Sequence, residues 1–132
     1  MHEMRDLILI APPTFRLSEI VELLERDQFE MNIYQDRLSL KDKRTGEFLQ
    51  FEQDNKLAAH YEDEEGDVFS SNIRTPNFFI VSFKDIALVK GVISSALNRD
   101  DVYLDNEFGL IQNGREFAAI LSERPEWDWA IE

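Results

Sequence analysis

Leu7-Ile8-Leu9-Ile10-Ala11 is an unbroken apolar run of five residues that stops at Pro12-Pro13, and it predicts a buried strand. Leu17, Ile20, Val21 and Leu24 then recur at helical spacing, with Glu19, Glu22 and Glu25 on the opposite side. That stripe predicts an amphipathic helix over 17–27. Beyond it the period falls to two. Met31 and Ile33, Leu38 and Leu40, Leu49 and Phe51, and finally Leu57, Ala59 and Tyr61 alternate with polar residues. Gln35-Asp36, Lys43-Arg44-Thr45-Gly46 and Asp54-Asn55 separate the segments, and Gly46 suits a left-handed turn position. The expectation is a meander of about four antiparallel strands with one wet face.

Residues 62–77 read as a loop, opening on Glu62-Asp63-Glu64-Glu65-Gly66-Asp67 and closing at Pro76. A strand follows over 78–83, then a helix over about 85–98 with Ile86, Val89, Ile93 and Leu97 on one face and Asp85 at its start. Gly91 falls inside that helix, where close packing against a strand is the expected reason for it. Strands over 101–104 and 107–111 flank Asp105-Asn106, a two-residue hairpin signal. Asn113 sits three residues before Glu116, at capping-box spacing. Phe117, Ile120 and Leu121 face inward from the last helix, which Pro125 ends. Strands and helices partly segregate, so the class is α+β: an antiparallel β-meander with about three helices packed on the sheet, residues 1–132 forming a single domain.

Composition makes a packed core credible. Of 132 residues 43% are hydrophobic, ten are Phe and none is Cys. Disulfides and thiolate metal sites are excluded, and the chain reads as cytoplasmic. The N-terminal segment has no basic region and its apolar run is too short for a signal peptide or a membrane span.

Charge is the strongest single feature: 27 Asp and Glu against 14 Lys and Arg leave −13. Residues 1–66 carry 16 acids and 8 bases and residues 67–132 carry 11 and 6, so the excess runs through the whole chain. Free nucleic acid and anionic membranes are disfavoured partners, because both are bound through basic side chains. A basic protein is the complementary partner.

Catalytic patterns are missing. The 62–67 run fails the calcium-loop pattern, since Gly66 at position six would put Tyr61 at position one. His60 has no Cys, no G-x-S-x-G and no second internal His to work with, and reads as a surface histidine. The glycines form neither a dinucleotide nor a Walker pattern. Lys41, Lys43 and Arg44 form a basic turn. No cofactor and no metal are expected. Trp127 and Trp129 lie on one side of an extended segment with Asp128 opposite, and serve either as a clasp on the core or as interface anchors.

Asp105-Asn106-Glu107-Phe108-Gly109, Gly114-Arg115-Glu116-Phe117 and Trp127-Asp128-Trp129 look like segments of short bacterial proteins of uncharacterised role. Size, acidity and missing catalytic groups together resemble the bacterial toxin-immunity proteins, small cytoplasmic binders that block a cognate toxin domain, often a basic nuclease. That resemblance implies inhibition by binding and carries over no residue by position. The partner-binding candidates are Asp63, Glu64, Glu65 and Asp67 in the loop, Asp100, Asp101, Asp105 and Glu107 around the hairpin, and Trp127 and Trp129. A housekeeping adaptor, self-associating or bound to a neutral partner, and a small hydrolase without a recognisable motif are the alternatives.

Overall fold

In a computed structural model, which describes residues 4–128, β1 (Arg5–Ala11) lies inside an antiparallel sheet of seven strands. The others are β2 (Phe29–Tyr34), β3 (Arg37–Asp42), β4 (Phe48–Gln53), β5 (Asn77–Phe83), β6 (Tyr103–Asp105) and β7 (Ile111–Asn113). Their order across the sheet is β2-β3-β4-β5-β1-β6-β7. The class is α+β, as the partial segregation of strands and helices predicts.

The meander turns where the sequence places its turns. Tyr34 pairs with Arg37 around Gln35-Asp36, and Gln35 takes a left-handed φ of 56°. Gly46 sits at φ 79° between β3 and β4. The fourth strand, however, is not 57–61. β4 pairs with β5, Leu49 opposite Phe83 and Phe51 opposite Val81, so the chain leaves the sheet after Gln53 and returns 24 residues later at Asn77.

One sheet face carries Leu7, Leu9, Leu38, Leu40, Phe51 and Val81, all essentially buried. Covering it are α1 (Leu17–Leu23), α3 (Ile86–Ala96) and α4 (Gly114–Glu123), through Ile20, Val92, Ile93 and Phe117 among others. α1 is shorter than its apolar stripe, because Leu24 turns to an extended backbone while its side chain stays in the core. Asp85 caps α3 by accepting from the Ala87 N–H at 3.1 Å, and Asn113 caps α4 by accepting from the Glu116 N–H at 2.8 Å. Gly91 has open space around it, so strand packing is not its reason.

The opposite face is covered over only part of its width. Ile8 and Ile10 of β1, Phe78 of β5 and Tyr103 of β6 form a second apolar cluster with Phe69 and Ile73. Its cover is the segment between β4 and β5, folded as a 3-10 helix (Asn55–Tyr61) and α2 (Glu64–Ser70). Two sequence expectations are corrected here. Leu57 and Tyr61 pack on this cluster from the 3-10 helix and not from a strand, and Asp54 opens the turn by accepting from the Lys56 N–H at 3.1 Å. The 62–77 segment is not all loop: Asp63 caps α2 through the Glu65 N–H at 3.0 Å, and Phe69 and Ile73 fall four apart onto the sheet.

Candidate functional site

The 3-10 helix and α2 are locked together at Gly66. A Cβ there would lie 2.0 Å from the Tyr61 carbonyl oxygen, so only a glycine lets the two segments approach. This contact sets Tyr61 over the sheet, stacked on Phe78 with ring centroids 5.3 Å apart and edge-on to Phe69 at 5.5 Å. The Tyr61 hydroxyl then donates to Asp105 Oδ2 at 2.5 Å, bridging the cover to the end of β6.

Asp105 is only 5% exposed. Its second oxygen, Oδ1, accepts from the Glu107 N–H at 2.7 Å. A buried carboxylate with both oxygens bonded is tolerated where an isolated one would not be. Burial, followed by the neighbouring Asp105, drives the Tyr61 hydroxyl far above its ordinary range, so Tyr61 stays a proton donor and has no role as a base.

The hairpin differs from the expected one. Asp105 is the last residue of β6 and pairs with Ile111, so Asp105-Asn106 is not a two-residue turn. Residues 106–110 make a longer connection instead. Asn106 is buried, and its Oδ1 accepts from the N–H groups of Phe108 at 2.9 Å and Leu110 at 3.0 Å. Glu107 takes a left-handed φ of 66°. A side chain that replaces backbone partners around a loop is what Asn does well.

Between the cover and this connection is a hollow of about 210 Å³ lined by Ile8, Leu57, His60, Tyr61, Glu65, Asp105 and Glu107. That is smaller than the usual small-molecule site. Burial first, then the charges of Asp6 and Asp105, raise the Glu107 carboxyl above its ordinary range, and His60 acts in the other direction. Among the described residues no group of three or more His, Cys, Asp or Glu is placed to hold a metal ion. The hollow therefore offers a negative field from Glu65 and Glu107 beside a charge already satisfied at Asp105.

The acids named from the sequence do not share one environment. Asp63, the cap of α2, and Glu64, Glu65 and Asp67 on its first turn are exposed, and no ion pair reaches them among the described residues. Part of their role is local, since first-turn acids favour a helix by a few tenths of a kcal/mol each, on the order of 0.3–1. Asp100 and Asp101 are paired instead, with Arg115 at 3.3 Å and Arg99 at 2.6 Å. Glu65, Asp105 and Glu107 meet at the hollow although 40 residues separate the first from the second. Trp127 packs against the core beside Phe117, with ring centroids 6.2 Å apart and the Arg124 guanidinium over it. Asp128 pairs with Arg5 at 3.1 Å, and Trp129 lies outside the described residues. Leu57, His60 and Tyr61 also line the hollow, and no local pattern in the sequence marks them for it.

Among the described residues no helix is long and apolar enough to cross a membrane. No family model matches the chain, and no curated protein or solved structure matches it either.

Proposed function

We propose that this chain is a non-catalytic acidic binding protein that neutralises a basic protein partner, a nuclease toxin domain in the manner of an immunity protein. One observation carries the reading. Six carboxylates outside the 62–67 run are paired with arginines, among them Glu19 and Asp101 with Arg99, Glu52 with Arg37, and Asp42 with Arg44. The acids of 62–67 have no such match among the described residues, and no Lys or Arg occurs in the sequence between Lys56 and Arg74. Unmatched charge on one face speeds encounter with an opposite field and rejects wrong partners. In a nuclease the opposite field is the groove that holds phosphates.

The test is capture of the partner from the native cell, followed by affinity measurements with the purified protein from low to high salt. The expected partner is basic, loses affinity as salt rises, and loses it again when Asp63, Glu64, Glu65 and Asp67 are reversed to Lys. A neutral partner, or affinity indifferent to both changes, rejects the reading.

A further inference from the structure

Charge alone gives fast encounter, whereas slow dissociation needs apolar area removed from water at the centre of a contact. Several large apolar side chains are exposed on this molecule, and they differ in what surrounds them. Ile33, Tyr34 and Phe48 lie on the meander, where Phe48 is opposite Lys41 and Tyr34 opposite Arg37, so the local field is mixed. Leu23 ends a short surface helix. A larger hollow of about 620 Å³ beside Arg5, Lys84, Asp85 and Asp128 likewise mixes the two signs.

Phe108 is different. It is 55% exposed, at the tip of the 106–110 connection. Its own N–H is tied to the buried Asn106 side chain, and the N–H before it to the buried Asp105 side chain. The ring is thus held out on a backbone already fixed from beneath, which lowers the ordering cost of binding. Immediately before it stands Glu107, which no Lys or Arg pairs among the described residues. Glu107 lines the hollow together with Glu65, so the acidic first turn of α2 continues into the loop that carries the ring.

Resting on the acidic-binding reading above, we infer that Phe108 is the apolar anchor of the interface, seated in an apolar socket of the basic partner while that partner's lysines and arginines meet Glu107, Glu65 and the α2 acids. Aromatic rings are enriched at such centres and charged groups at their rims. A second copy of this chain is a poor occupant, because it brings another −13 to the same negative surface.

The experiment uses the full chain and the purified basic partner captured as above. Phe108→Ala is expected to weaken binding roughly thirty-fold, mainly through faster dissociation, with little change in melting temperature because the residue is more than half exposed. Phe108→Leu is expected to restore part of the loss. Glu65→Lys with Glu107→Lys is expected to act on association and to flatten the salt dependence. Tyr34→Ala, an exposed aromatic on the meander, is expected to leave binding unchanged. Binding that falls with salt and with charge reversal at 63–67 but ignores Phe108→Ala overturns the anchor and leaves the acidic-binding reading standing. Loss through Tyr34→Ala in place of Phe108→Ala overturns it too, as does a change in self-association with no change in partner affinity. Binding indifferent to salt and to charge reversal removes the underlying reading, and the anchor with it.

Discussion

Two halves of one sheet are both covered by helices on one side and meet opposite conditions on the other. In β2, β3 and β4 the outward positions include Asn32, Tyr34, Arg37, Ser39, Lys41, Phe48, Gln50 and Glu52, and none of these is buried. In β1, β5 and β6 they are Ile8, Ile10, Phe78 and Tyr103, buried beneath the 3-10 helix and α2. The difference is written in the strands. An alternating strand buries one face, whereas an unbroken apolar run such as Leu7–Ala11 or 78–81 must bury two. The cover is then required by physics, and it is the element that gathers Tyr61, Glu65, Asp105 and Glu107 into one place.

The largest effect is expected from removing the cover's main anchor. Phe69 is 3% exposed and touches the rings of Tyr61, Phe78 and Tyr103. Phe69→Ala is expected to cost about 3–5 kcal/mol in urea unfolding, as a ring deleted from a core does. Tyr34→Ala, on the open half and 72% exposed, is expected to change stability by less than about 0.5 kcal/mol. Similar values for the two would erase the distinction between the halves.

That distinction was half legible in the sequence. The strands β1 to β5, the turns at Gln35 and Gly46, and the caps Asp85 and Asn113 all follow from local patterns, because period, turn chemistry and capping act over a few residues. The cover has no such local signature. Leu57, Ala59 and Tyr61 satisfy a period of two, and only tertiary packing decides that Leu57 and Tyr61 pack from a 3-10 helix. The acid run also looks like solvated loop until Phe69 and Ile73 are seen as the partners that Ile8, Ile10 and Phe78 lack. Asp105 and Glu107 were identifiable as acids, but the buried hydrogen bond from Tyr61 spans 44 residues and leaves no local trace.

A smaller effect is expected at the joint within the cover. Gly66→Ala places a methyl group against the Tyr61 carbonyl, and backbone cannot yield as a side-chain tip does. The expected cost is about 1–3 kcal/mol, the range for overpacking. Hydrogen exchange is expected to accelerate in 55–73 and to stay unchanged in β2 and β3. Acceleration spread evenly over the chain would mean that the cover does not open as a unit. Gly91→Ala, in open space on α3, is expected to raise stability by about 0.5–1 kcal/mol with no local change in exchange.

The subtlest contrast lies in two carboxyls with opposite responses to acid. Asp42, at the end of β3, is held below its ordinary range, first by the Arg44 backbone N–H at 2.8 Å, with the Arg44 guanidinium adding to it. Its charged form is favoured by folding. The stabilisation is therefore complete above the unfolded value, about 3.9, and is lost as pH falls through the folded one. Glu107 is raised by burial, then by Asp6 and Asp105, so folding disfavours its charge. That penalty is complete above the folded value and fades as pH falls through it towards the unfolded one, about 4.3. At neutral pH Asp42→Asn is expected to lower the melting temperature and Glu107→Gln to raise it. Both differences are expected to shrink in acid below the ordinary carboxylate range. A Glu107→Gln variant less stable than the parent at neutral pH would show that the charge at the hollow is already compensated within the fold, and the negative face offered to a partner would then be smaller than the acids of 63–67 and 107 imply.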